Sequence, residues 1–547
     1  MKRNILLITI ASIIALSGCT NGPSTSTSNN SSTTDSSITS DSSSSNSEEK
    51  VDKLDFYCIN DFHGRVSQNI LYNSNGTPVY ESGVARLATY LKKQKAKNED
   101  GTVFLNAGDL WQDTYDSGMN KGELLTKAMK EIGFEAMALG NHEFDWGIEN
   151  IKANKLIAES GDEQFTFLGC NIYNYDNYEK EATTQASDIA SPYKIIYRGD
   201  TKIGLIGAIG ENQITSITSR NWENLTFLNP VSIVKKLSDK LRTEENCDLV
   251  IYMLHAGFSS SSSEQLSAIS PVSKKPYVDA GFLGHTHSFE SEIVNGIPWV
   301  QTYHHGSAVG HISFEKENGI YKAKYVSSYS DKENNGFGNG VNSIYACEED
   351  SEIKSIVDSY LTPDFINKKN EYVGAFTNVN EDYNKFGENM GKVQAYTTSK
   401  YIDELRKTNP DIPEIDLVFN NGNRSSIQLD ESGQVSREDI FNVIPFTNKT
   451  IICKVKGSDI LYEQRYISYY IPSEKALNIE SDKEYVIAGI DYMVLHKNTS
   501  RQYNYFKTYN GSIYEVDKYP YDILIDYLVS NKTFDMSIIN SVGFNGL

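Results

Sequence analysis

Cysteine is nearly absent: the 547 residues hold 6, at positions 19, 58, 170, 247, 347 and 453, and no two form a CxxC pair. With Cys19 set aside, five scattered cysteines argue against a disulfide framework, because an odd count leaves a thiol over. Long apolar runs are missing beyond residue 16, so nothing downstream is built to span a bilayer. Positive charge is in deficit, with 51 Lys+Arg against 72 Asp+Glu and a formal net charge of −21. That balance repels nucleic-acid polymers and anionic lipid surfaces at long range. Histidine numbers 9, few enough that each position carries information. The length exceeds what one hydrophobic core serves, which predicts two large domains plus extras.

The N-terminus reads as an export signal. Lys2 and Arg3 precede the apolar run Ile5 to Leu16, too short for a comfortable membrane span. It ends in Leu16-Ser17-Gly18-Cys19, which resembles a bacterial lipobox, where cleavage leaves Cys19 as a lipidated N-terminus. An extracytoplasmic, lipid-anchored protein is expected, touching the membrane only through Cys19. From Thr20 to Glu48, Ser and Thr fill 19 of 29 positions, leaving almost nothing to bury, so residues 19–50 are expected to be a solvated tether.

After the tether, apolar strands alternate with turns and amphipathic helices. Leu54–Ile59, Val103–Leu105, Ala136–Leu139, Ile203–Ile209, Leu249–Leu254 and Ala280–Leu283 read as strands, and Gly83–Ala96 and Glu123–Ile132 as helices. Such alternation implies a layered α/β domain, whose ligands collect beyond the carboxyl ends of the strands. Five strand ends carry the chemistry: Asn60-Asp61-Phe62-His63-Gly64, Gly108-Asp109, Gly140-Asn141-His142-Glu143-Phe144-Asp145, His255-Ala256-Gly257 and Gly284-His285-Thr286-His287. One such pair would be read as a turn with a capping carboxylate. Five in one domain point to a metal site, and imidazole with carboxylate suits Zn, Mn, Fe or a similar divalent ion rather than Ca. The lack of cysteine at these motifs argues against a structural zinc site. Ser259–Ser263 reads as a solvated loop, and His304, His305 and His311 as surface groups or neighbours of the ligands.

The order of these motifs, above all GNHEFDWG at Gly140–Gly147, resembles the calcineurin-like metallophosphoesterases, and more narrowly the bacterial 5′-nucleotidase/UDP-sugar hydrolase family. The resemblance implies an α/β/β/α metallophosphoesterase sandwich with two divalent metal ions between its sheets, plus a C-terminal α+β substrate-binding domain. Position by position it places Asp61, His63, Asp109 and His287 around one ion, and Asp109, Asn141, His255 and His285 around the other. Asp109 would bridge. It also implies a catalytic dyad of His142 and Asp145. The expected boundaries are a signal at 1–18, the tether at 19–50, a catalytic domain at 51–350, a connecting helix and linker at 351–375, and a substrate domain at 376–547.

In the last third the resemblance is looser. Asn421-Gly422-Asn423-Arg424-Ser425 stands where the family has Gly-Gly-Ile-Arg, and Pro445-Phe446-Thr447-Asn448 where it has Pro-Phe-Gly-Asn. By that resemblance Arg424 would grip phosphate or a carboxylate, Phe446 would stack on a nucleobase, and Asn448 would meet the base edge. The stretch Lys385–Gly391 lacks the family's further arginine, and KNTSRQYNYF at Lys497–Phe506 replaces a GGDGY-like loop, with Tyr503 or Tyr505 as substitutes. The function implied is a surface-anchored 5′-nucleotidase-like hydrolase of small-molecule nucleotides, acting by attack of a metal-activated hydroxide on phosphorus. The alternatives are a phosphodiesterase or UDP-sugar pyrophosphatase of the same family, or a non-catalytic surface binding protein keeping the fold. Catalysis is favoured, because buried acids and histidines without a metal would be costly to desolvate.

Overall fold

The computed structural model describes residues 51–547 apart from 73–77, 177–178, 259, 273–274, 328–342, 380–382, 421–423, 425–428, 430, 465–467, 474–476, 496–505 and 545–547. Cys19 and Tyr503 therefore lie outside the described residues.

The expected strands form because their apolar residues serve two faces at once. In Lys53–Ile59, Leu54, Phe56 and Cys58 enter one core while Tyr57 and Ile59 enter another. Leu249–His255 does the same, with Leu249, Ile251 and Met253 on one side and Val250, Tyr252 and Leu254 on the other. A strand buried on both faces belongs to a sheet covered on both sides.

Two six-stranded sheets result. The first runs Ile320–Val326, Gly310–Glu317, Lys53–Ile59, Thr102–Asn106, Phe134–Ala138, Thr166–Leu168, and the second Glu290–Val294, Ile297–Gln301, Ala280–Leu283, Leu249–His255, Thr201–Ile209, Tyr193–Arg198. Both are parallel at the centre, with antiparallel strands at one edge of the first and at both edges of the second. The inner faces share one core, including Phe56, Leu105, Leu205 and Phe282. Outside the first sheet lie the helices Val84–Lys95, Glu123–Ile132, Ile148–Ala158 and Ser351–Tyr360. Outside the second lie Pro230–Thr243 and Ser260–Ile269. This is an α/β/β/α sandwich, and its parallel strands deliver their carboxyl ends to a common edge.

The serine run corrects one expectation: Ser260–Ile269 is a helix, not a loop, because Leu266 and Ile269 reach the outer core of the second sheet. The C-terminal third is a separate α+β layer. Its five-stranded sheet runs Ser468–Tyr470, Leu417–Asn420, Glu484–Ile490, Thr450–Lys456, Ser512–Val516, flanked by the helices Tyr383–Thr408 and Pro520–Asn531.

The loop after Thr102–Asn106 bolts this layer to the sandwich. Gln112 Nε2 donates to the Pro445 carbonyl at 2.7 Å, the Tyr115 N–H to Asn442 Oδ1 at 3.0 Å, and Lys369 Nζ to Asp116 Oδ1 at 2.7 Å.

His311 is remote from the metal-ligand motifs. It stacks on Tyr57 with centroids 4.2 Å apart and donates through Nε2 to Asp55 Oδ1 at 2.8 Å. Burial opposes the Asp55 charge, but hydrogen bonds from His311, Asn98 and Lys53 hold its carboxyl down at about 2. Such a depressed group stabilises the fold above the unfolded value near 4 and loses that contribution as the pH falls through 2. Asp55→Asn should therefore cost about 2 kcal/mol in urea unfolding at pH 7. The gap from wild type should close between about pH 4 and pH 2.

Candidate dimetal site and substrate cavity

The strand ends bend sharply to aim their side chains inward. Five of the seven candidate ligands have positive φ: Asp61 50°, His63 51°, Asp109 55°, His285 83° and His287 57°. Outside glycine such backbones cost of order 1–3 kcal/mol each and persist where the surroundings over-determine them. Buried hydrogen bonds supply that constraint. Asn60 donates to Asp61 Oδ2 at 2.7 Å and to the Tyr303 carbonyl at 2.8 Å, while its Oδ1 accepts from the Thr302 N–H. One amide thereby ties the end of the first sheet to the second.

Glu143 does the same for Asp109. Its carboxylate accepts from the backbone N–H groups of Asp109, Leu110 and Gly140 at 2.7–2.9 Å. Burial, followed by the nearby Asp109 charge, raises its carboxyl to about 7. Sequence reading gave Glu143 no role, although it sits inside the GNHEFDWG motif.

Among the described residues, three groups of side chains converge, each with ligand atoms within 4.8 Å of one another: Asp61, His63 and His287; Asp109, His255 and His285; and His63, Asp109 and His142. In the first, His63 Nε2 and His287 Nε2 are 2.8 Å apart, with Asp61 Oδ1 3.4 Å from His287 Nε2 and 3.8 Å from His63 Nε2. In the second, His255 Nε2 lies 3.1 Å from Asp109 Oδ2 and 3.3 Å from Asn141 Oδ1, which is 3.0 Å from His285 Nδ1. Asp109 Oδ2 also lies 3.9 Å from His63 Nε2, so one carboxylate oxygen faces both clusters.

The donor set fits divalent cations. His255 Nδ1–H donates to the Ala107 carbonyl at 2.8 Å, which fixes the tautomer and turns the Nε2 lone pair toward two oxygen acceptors. Lone pairs facing lone pairs in a buried pocket are unfavourable until a cation lies between them. Nitrogen and oxygen donors without sulfur suit Zn, Mn or a similar ion.

His142 stands beside the clusters but is otherwise committed. Its Nδ1 lies 2.7 Å from Asp145 Oδ2, and its backbone N–H donates to Asp109 Oδ1 at 2.9 Å. Burial opposes its charge, yet Asp145 and Asp109 raise the imidazole to about 10. His304 and His305 also pack against this site, with ring centroids 4.8 Å from His287 and 5.7 Å from His63 respectively.

A cavity of about 420 Å³ opens from Asn141, His142 and His285 toward the C-terminal layer. Arg424, Phe446 and Asn448 line it. Phe446 is half-buried and nearly parallel to His142, with centroids 6.4 Å apart. Arg424 is already paired through Nε with Asp113. The Asn448 amide donates to Thr218 Oγ1 and Asp491 Oδ1, each at 2.9 Å. Tyr492, Tyr519, Arg220 and Asp491 also line the wall. The sequence carried no signal for these four, since they lie outside the motifs; Asp491, Tyr492 and Tyr519 reach the cavity through folding of the second layer, and Arg220 from the short helix Ser219–Trp222 of the first.

A deep dimetal donor set on this sandwich defines a metal-dependent phosphoester hydrolase. Comparison with known proteins agrees. Residues 54–289 match the calcineurin-like phosphoesterases and residues 384–462 the 5′-nucleotidase C-terminal domain. The chain is 26% identical to a 5′-nucleotidase of Vibrio cholerae over 84% of this chain and 81% of that protein. It is 27% identical to the Bos taurus 5′-nucleotidase over 73% of this chain and 69% of that protein. The solved 5′-nucleotidase precursor from Thermus thermophilus shares the fold, with a TM-score of 0.63 at 18% identity, covering 88% of this chain and 97% of that one. The chain thus carries a calcineurin-like phosphoesterase domain followed by a 5′-nucleotidase C-terminal domain.

The ligand geometry makes Gly140 a sensitive position. A Cβ there would lie 2.2 Å from Asp109 Oδ1, and Gly140 has no left-handed φ to complicate the change. Gly140→Ala should weaken Mn²⁺ binding by about 10- to 100-fold in calorimetric titration, the usual effect of disturbing a ligand's support. Its circular dichroism should match wild type.

Proposed function

We propose that this enzyme releases phosphate from nucleoside 5′-monophosphates. The observation that carries the reading is the cavity that joins the candidate ligands Asn141 and His285, the His142–Asp145 pair and the Phe446 ring. Asp61, His63, Asp109 and His287 are assigned to one cation, and Asp109, Asn141, His255 and His285 to the other. Divalent ions held there supply Lewis acidity toward phosphoryl oxygens and acidify water at neutral pH. Asp145 orients the imidazole through Nδ1, leaving His142 Nε2 to donate a proton to the departing ester oxygen. Arg424 contributes fixed positive charge for the phosphoryl group. Phe446 offers a half-buried face for a base, and Asn448 a polar group for its edge.

The decisive assay supplies purified protein with Mn²⁺ or Zn²⁺ and offers nucleoside monophosphates, cyclic nucleotides, UDP-glucose and an aryl phosphate. Monophosphates should be turned over most efficiently, and dominant cleavage of a diester or pyrophosphate would replace this reading. His142→Ala should lower kcat by about 10²–10⁴-fold. Phe446→Ala should raise KM for nucleotides more than for the aryl phosphate.

The second part of the proposal is anchoring by lipid on Cys19, supported by the positive start, the short apolar run and Leu16-Ser17-Gly18-Cys19. In cells, Cys19→Ala should move the enzyme from the membrane fraction to a soluble or secreted one. Unchanged fractionation would refute the anchor.

A further inference from the structure

Asp113 follows the shared ligand Asp109 by four residues and is 6% exposed. Its φ is +112°, well beyond the left-handed well that Asp and Asn tolerate and in territory ordinarily left to glycine. A side chain is therefore kept here against backbone strain, and strain of this kind gathers at working sites.

The carboxylate meets two groups of the site. Its Oδ1 and Oδ2 accept from Arg424 Nε at 3.1 and 2.9 Å. Its Oδ2 also lies 3.4 Å from His63 Nδ1, the ring nitrogen opposite the one turned toward His287 and Asp61. That His63 Nδ1 is buried and forms no hydrogen bond. Arg424 completes the triangle, with one terminal nitrogen 3.4 Å from His63 Nε2. With Nε occupied by Asp113, the terminal nitrogens of Arg424 are the ones left for the cavity it lines.

Adhesion of the two layers does not require this strain. Gln112, Tyr115 and Asp116 already dock the C-terminal layer with unstrained hydrogen bonds from the same loop.

We propose that Asp113 is a positioning residue that aims His63 at the metal cluster and holds Arg424 at a set distance from it. A carboxylate 3.4 Å behind a metal-binding imidazole favours, by its charge, the proton on the near nitrogen and so leaves the far nitrogen to the metal. A carboxylate beside a guanidinium fixes the direction of the remaining N–H fork. One side chain thereby couples the cation sites of the sandwich to the cationic group supplied by the C-terminal layer. The assignment of Arg424 to phosphoryl binding rests on the reading above, whereas the His63 half stands on the metal-ligand geometry alone.

The test uses Asp113→Gly, Asp113→Asn, Arg424→Ala and the double variant Asp113→Gly/Arg424→Ala. Glycine suits the backbone, so Asp113→Gly should melt, without metal, at or above the wild-type temperature. Both Asp113 variants should bind Mn²⁺ about 10-fold more weakly by calorimetry. Their KM for a phosphate monoester should rise about 10-fold, more than kcat falls. In the Arg424→Ala background, Asp113→Gly should leave KM where Arg424→Ala put it, yet still weaken Mn²⁺, because the two residues act on KM as a unit.

Mn²⁺ affinity and KM within about twofold of wild type for both single variants would overturn the proposal. So would KM effects that simply multiply in the double variant, or a metal-free Asp113→Gly protein that melts well below wild type. If wild type binds Mn²⁺ but cleaves no phosphoester, the phosphoester reading fails, and Mn²⁺ affinity alone then decides the His63 half.

Discussion

The position of one oxygen, Asp109 Oδ2, constrains the rest of the site. It must face His255 at 3.1 Å and His63 at 3.9 Å together, from strand ends that belong to different sheets. A shared carboxylate sets the spacing of two cations, about 3.5–4 Å in such centres, so small displacements of its backbone are costly to both. That demand explains the buried Glu143 that holds the loop by three amide hydrogens. It explains the left-handed turns at five ligands, which a simple strand-to-loop exit would not need. It also explains why a bare glycine precedes Asn141, where any side chain would occupy the space of the carboxylate.

Much of this was legible because the residues that carry it are local. Asp61, His63, Asp109, Asn141, His255, His285 and His287 each follow an apolar run within a few positions, and parallel topology gathers such ends without further information. A layered α/β domain was legible from the alternation of apolar strands and amphipathic helices, whereas the two-sheet sandwich was expected only through the family resemblance. The helix at Ser260–Ile269 was not, because serine has little propensity to advertise and burial of Leu266 and Ile269 decides the matter. Asp113 was invisible too. Its importance comes from a φ and from two partners, at positions 63 and 424, that no spacing rule connects. Tyr492 and Tyr519 reach the cavity only after the second layer has docked. They offer aromatic surface beside Phe446, while Tyr503 lies outside the described residues.

The formal charge of −21 takes on a more local meaning. Several of the acids are spent inside: Asp61, Asp109, Asp113 and Glu143 are buried, and their charges are met by amides, imidazoles, Arg424 or the cations the ligands suit. An anionic substrate meets the surface field only until it enters the cavity, where Arg424, Arg220, Lys121 and Lys449 line the wall. Binding of an anion by an acidic protein is then a matter of where the charges stand, not of their sum.

The loop from Asp109 to Gly118 serves two masters, and this has a consequence for the history of the chain. Its first residue faces both metal clusters, while Gln112, Tyr115 and Asp116 hold the C-terminal layer, and a side chain at Gly118 would strike Phe441. The catalytic sandwich and the substrate layer are therefore not freely exchangeable modules. A new C-terminal layer must fit a segment whose first residue is already held by Glu143 beside the candidate metal ligands, so a change in one half constrains the other.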